Sequence, residues 1–233
     1  YLGDLAGLSG NLTGSGTLNL IVNFSSAAIT GDWSEFSGTL NVARPTTSID
    51  DPRFQLGNPA GLPLATVNLD QVTLSYTATP PPEGVIVPIG SLSGISTAII
   101  AGAQTGAAPV TWRVGSLNNS TTYAGNFTPY GNAAIGLEKT GTGSLTLTGT
   151  GALNNGITVE QGTLSYGDAS TDLLSSTGDL VVDPNATLQL NQGATLTAAT
   201  CEIFTAATLC GRGTLQSPLT SDGTLSIIGG TFN

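Results

Sequence analysis

If this sequence performs catalysis, its paired carboxylates are the groups that could do it. Asp32 with Glu35, Asp50 with Asp51, and Asp179 with Asp183 are candidate pairs for glycoside hydrolysis, in which one acid protonates the leaving oxygen and the other attacks or activates water. Each pair also has a plain structural reading. "GDWSEF" places its acids in a turn before a strand, "SIDDPRF" reads as a loop with an ion pair to Arg53, and "TGDLVVDPNA" brackets a short buried strand with polar residues. The structural readings are preferred, so no catalytic residue is assigned. The chain has no histidine, which removes Ser-His-Asp and Cys-His arrangements and the commonest zinc ligand. No metal or cofactor is expected.

A second set of candidates is aromatic. Trp33, Trp112, Tyr123 and Tyr130 lie beside Gly- and Asn-rich turns, where they could stack on sugar rings or cover a flank of the fold. Cys201 and Cys210, in "CEIFTAATLC", are expected to form a disulfide worth about 2–3 kcal/mol by loop entropy; two buried thiols are the competing reading. The scarcity of lysine and the abundance of threonine and glycine favour an oxidising, extracellular compartment.

Charge excludes other partners. Fifteen acidic and five basic residues give a formal charge of −10, and the cations (Arg44, Arg53, Arg113, Lys139, Arg212) are scattered. Nucleic acid and anionic membrane surfaces are therefore repelled, and a cationic groove for an anionic polymer is disfavoured. No apolar run reaches the roughly 18 residues of a membrane helix, so no membrane insertion is expected. "YLGDLAGLSG" lacks a basic leader, and an export signal is expected outside this chain.

The elements that must position these groups show up as repetition. "GSGTLNL" (14–20), "FSGTLNV" (36–42), "GTGSLTL" (141–147), "EQGTLSY" (160–166), "PNATLQL" (184–190), "GRGTLQS" (211–217) and "SDGTLSI" (221–227) each put a small turn residue before an alternating strand. The aligned leucines, 18, 40, 145, 164, 188, 215 and 225, recur at the length of one solenoid coil rather than at the 8–12-residue turn spacing of a sandwich. About ten coils at about 4.8 Å each would form a rod about 50 Å long. With 32 glycines and 9% charged residues, almost no helix is expected. Pro80–Glu83 reads as a protruding loop, with strands at Val67–Leu69 and Val72–Tyr76 before it. Residues 1–233 are read as one domain, with an irregular, loop-bearing section at about 43–135 and the clearest repeats at 136–233. Thr-Leu-Thr pairs occur only within 145–149 and 195–199, too few along the chain for a flat threonine array, and are read as ordinary outward-facing strand residues.

At "AIGLEKTGTGSLTLTGTG" and "NNGITVEQGTLSYGD" the chain resembles the autotransporter-associated β-strand repeat of bacterial secreted passenger domains. Gly136, Leu137, Lys139, Gly141, Gly143, Leu145 and Leu147 fill the first half of that pattern; Gly156, Thr158, Val159, Gly162, Thr163 and Leu164 fill the second. The resemblance implies an all-β fold, a right-handed parallel β-helix (β-solenoid), secreted or displayed on a bacterial cell surface. The resulting expectation is a structural or adhesive rod that self-associates through its solenoid ends and can meet surface glycans. The competing expectation is a carbohydrate-binding or polysaccharide-cleaving β-helix module.

Overall fold

The computed structural model describes residues 7–22, 29–46, 51–78, 80–81, 83–131, 133–168 and 173–232, and among them every regular element is a β-strand. In chain order these are β1 (Thr17–Ile21), β2 (Thr39–Ala43), β3 (Arg53–Leu56), β4 (Leu62–Asp70), β5 (Thr73–Tyr76), β6 (Val85–Gly94) and β7 (Ile99–Ala103). From β8 onward each coil contributes three: β8 (Val110–Val114), β9 (Thr121–Tyr123), β10 (Asn126–Thr128); β11 (Ile135–Lys139), β12 (Ser144–Leu147), β13 (Gly151–Ala152); β14 (Ile157–Val159), β15 (Thr163–Tyr166), β16 (Leu173–Ser175). The series ends with β17 (Leu180–Val182), β18 (Thr187–Leu190), β19 (Thr195–Thr197); β20 (Cys201–Ile203), β21 (Thr208–Gly211), β22 (Thr214–Gln216); and β23 (Leu219–Ser221), β24 (Thr224–Ile227), β25 (Thr231–Phe232).

Strands alternating apolar and polar residues cannot bury their apolar sides alone; stacking coil on coil does it. Every strand pairing is parallel, and the strands form three faces of a β-solenoid of about eight turns. The first face runs β1, β2, β4, β6, β9, β12, β15, β18, β21, β24; the second runs from the early halves of β4 and β6 through β8, β11, β14, β17, β20 to β23; the third runs from β3 to β25. The stretch around 43–135, expected to be irregular, holds the two longest strands, β4 and β6. These pass from the second face to the first without a break, and this joins the two faces into one sheet.

The interior is a set of columns, one residue per coil. On the first face Leu145, Leu164, Leu188 and Leu209 stack in register, and Leu18, Leu40, Val67 and Leu92 continue the same column. One aligned leucine belongs elsewhere: Leu215 pairs with Leu196 on the third face, and Leu209 takes its place on the first. The repeat motif is the same on both faces because both need a tight turn followed by an inward leucine.

The expected disulfide is not present, and both cysteines are free thiols. Cys201 points inward on the second face, between Leu180 and Leu219. Cys210 follows the inward Leu209 in β21, so alternation turns it to the outer surface between Gln189 and Ser226. The two sulfurs lie on opposite sides of the solenoid wall.

Candidate functional site

With the interior committed to packing, recognition falls to the outward columns. On the first face the residue between the two inward positions is Asn19 in β1, Asn41 in β2, Asn68 in β4 and Ser93 in β6. Parallel in-register stacking brings these side chains within hydrogen-bonding reach of one another. Asn41 Nδ2 donates to Asn19 Oδ1 at 2.7 Å, Asn68 Nδ2 donates to Asn41 Oδ1 at 2.7 Å, and Ser93 Oγ donates to Asn68 Oδ1. A groove of about 450 Å³ lies over this ladder, with Asn41, Asn68, Ser93 and Thr122 along one side and Ala43, Asp70 and Ile95 along the other.

A second groove, also about 450 Å³, crosses the second face past Thr111, Glu138, Asn155, Thr158 and Asp179. Beside it Arg113 Nε donates to Glu138 Oε2 at 2.6 Å, and Arg113 Nη2 lies 3.8 Å from Glu160 Oε1. The cation is thus shared between acids one and two coils away, which ties the coils together.

The aromatic candidates are placed differently from the expectation of exposed stacking platforms. Trp33, Trp112 and Tyr123 are buried. Trp33 Nε1 donates to Gly10 O at 3.1 Å and Trp112 Nε1 to Ala101 O at 3.0 Å, which satisfies each indole inside the fold. Tyr123 donates from its hydroxyl to Asn126 O at 3.2 Å and meets Phe127 edge to face at 5.4 Å. Its ring fits because the matching residue one coil earlier is Gly94, where a Cβ would come within 2.8 Å of Tyr123 Cε2. Tyr130 is partly exposed, with the Arg53 guanidinium 5.1 Å above its ring. The four do not form one surface.

Asp32, Asp51 and Asp179 are each engaged by a partner outside the proposed acid pairs. Asp32 Oδ1 accepts the Ser34 backbone N–H at 2.9 Å, and hydrogen bonding from Ser34 lowers its pKa; Glu35 is exposed nearby. Asp51 is held by Arg53 at 2.7 Å, as the loop reading anticipated, whereas Asp50 lies outside the described residues. Asp179 and Asp183 stand at opposite ends of β17, about 13 Å apart along an extended chain, and so farther apart than the roughly 5–9.5 Å of glycosidase pairs. Asp179 Oδ1 instead accepts Thr200 Oγ1 at 2.7 Å across the coil boundary.

The asparagine ladder was missed in the sequence because its members are 22 and 27 residues apart. The signal is present, since "TLN" recurs at 17–19 and 39–41 and "TVN" at 66–68. No protein-family model matches the chain, and no curated protein matches it.

Proposed function

We propose that this chain is a structural or adhesive β-solenoid of the kind found in bacterial secreted passenger proteins, displayed at or beyond the cell surface, and that it extends by adding coils edge to edge. The observation that carries this reading is the in-register stacking of one inward column from coil to coil, Leu145 on Leu164, Leu188, Leu209 and Leu225. Leu225 occupies the inward column of β24 yet is 44% exposed, whereas its partner Leu209 one coil earlier is 1% exposed. Ile228 beside it is 64% exposed. The outer sides of β23, β24 and β25 pair with no described strand, and a further coil, from the same polypeptide or from a second copy, would bury these leucine and isoleucine surfaces and satisfy the free backbone groups. The agreement between the repeat resemblance and the coils supports the family: Gly141 and Gly143 form the corner between β11 and β12, and Leu145 and Leu147 face inward.

Electron microscopy with sedimentation of the purified chain tests this. Concentration-dependent rods of uniform width are expected. A species that stays monomeric at high concentration would rule out assembly from copies of this chain. A second reading, carbohydrate recognition, is favoured by one feature, the groove over the asparagine ladder.

A further inference from the structure

We propose that the first-face groove over Asn41, Asn68 and Ser93 binds a neutral polysaccharide chain lying along the solenoid axis. The proposal rests on the adhesive side of the reading above and identifies the surface that does the adhering.

The side chains set the class of ligand. An asparagine amide carries two N–H donors and a carbonyl with two lone pairs. Within the ladder Asn68 spends one N–H on Asn41 Oδ1 and accepts one hydrogen bond from Ser93 Oγ. A donor and a lone pair remain on the same side chain, and Asn41 has the same pattern. The ladder fixes the rotamers, so the remaining groups are ordered before a ligand arrives, which lowers the entropic cost of binding. A row of paired donors and acceptors suits hydroxyl groups, which both donate and accept.

The opposite side of the groove is mixed. Ile95 is 45% exposed and offers an aliphatic surface to the C–H face of a sugar ring, while Asp70 supplies a carboxylate acceptor. No lysine or arginine lines the groove, and the chain carries −10 overall, so uronates and sulfated glycans are repelled. The coil step of about 4.8 Å is of the order of one pyranose in an extended chain, which places successive sugars over successive coils. A peptide strand is disfavoured because the strands beneath are hydrogen-bonded on both sides, leaving no free edge to extend.

Affinity electrophoresis of the full chain through gels containing a neutral β-glucan, xylan or galactomannan, beside gels containing polygalacturonate or alginate, tests the proposal. At least one neutral polymer should retard the chain and the acidic polymers should not. Thr122→Arg fills the groove from an exposed position, and Ile95→Glu removes the aliphatic wall; each should weaken retardation at least about tenfold. Thr128→Arg, exposed on the third face, should bind as wild type does. Circular dichroism establishes that each variant is folded, and either groove variant suffices alone. Absence of retardation by every neutral polymer, unchanged binding by the folded groove variants, or equal binding of acidic polymers would overturn the site. Rods seen by microscopy alongside any of these results would leave the structural reading standing.

Discussion

On the second face the inward column Ile89, Val114, Lys139, Val159, Val182 and Ile203 contains one ammonium among aliphatic side chains. Lys139 is buried, and its Nζ donates to Thr140 O at 2.7 Å, Gly141 O at 2.8 Å and Gln161 O at 3.1 Å. It therefore pins its own corner to that of the next coil. Desolvation pushes its pKa down from 10.5 to about 8. Between those values the unfolded chain holds the proton and the folded one releases it, so stability rises with pH through that window. Cys201 acts in the opposite sense. Burial raises its pKa from 9.0 to about 12, so stability present below pH 9 is lost as pH climbs towards 12. Tyr123, pushed well above 10 by burial, adds to that loss. Urea unfolding of the wild type should show a gain from pH 8 to 9, then a plateau and decline. Lys139→Met should abolish the gain, and Cys201→Val should soften the decline; a Lys139→Met profile that rises like the wild type's would exclude this origin. The sequence marks Lys139 as part of a repeat but not as buried, because a cation in an inward column becomes tolerable only when three carbonyls from two coils converge on it.

Among elements, the turns set the register. Gly141 sits at φ 70° between β11 and β12, and a Cβ there would fall 2.0 Å from Gly115 O in the coil below. Gly14 has φ 99° but nothing within 4 Å of a Cβ. Gly14→Ala should therefore cost only backbone strain, about 1 kcal/mol, whereas Gly141→Ala adds a clash between coils and should cost about 3 kcal/mol. Equal shifts in urea midpoint would show that close coil approach is not what selects glycine. Asn68→Leu breaks two ladder hydrogen bonds and should cost about 1–3 kcal/mol. Much of this level is legible in the chain. The period-two strand Ser144–Leu147, the strands at Val67–Leu69 and Val72–Tyr76 and the glycine corners are where the pattern puts them. Register is less legible, because coil length varies from 16 residues between Leu209 and Leu225 to 29 between Gly94 and Tyr123. A fixed spacing therefore slides from one face to another, which is how Leu215 came to align with the first-face leucines. The outer columns are hidden for the same reason. Thr163, Thr187, Thr208 and Thr224 stack into one hydroxyl column, although along the chain no two are near each other.

For the whole molecule, the decisive property is that parallel, in-register pairing joins successive coils, so the outer edge of β24 offers the kind of edge that β18 and β21 already use. Parallel strands send alternate N–H groups to opposite neighbours. Thr224 N donates inward to Ala207 O at 2.8 Å and Ile228 N inward to Gly211 O at 3.0 Å, so alternation directs the Leu225 N–H outward, where a carbonyl of an added coil would accept it in place of solvent. Leu225→Pro removes that donor and fills the edge with a ring that cannot join a ladder, without deleting a bond the molecule makes internally. Assembly should fall below detection in sedimentation while the urea midpoint of the monomer changes by no more than about 1 kcal/mol equivalent. Leu225→Lys should act similarly by placing charge on the edge. Because each added copy brings another ten negative charges, wild-type assembly should also speed up as salt rises from about 0.01 to 0.15 M and the screening length shortens from about 30 to 8 Å. Rods that persist in Leu225→Pro would mean that copies join through a surface other than the coil edge; assembly insensitive to salt would mean that the contact buries its charges away from solvent screening.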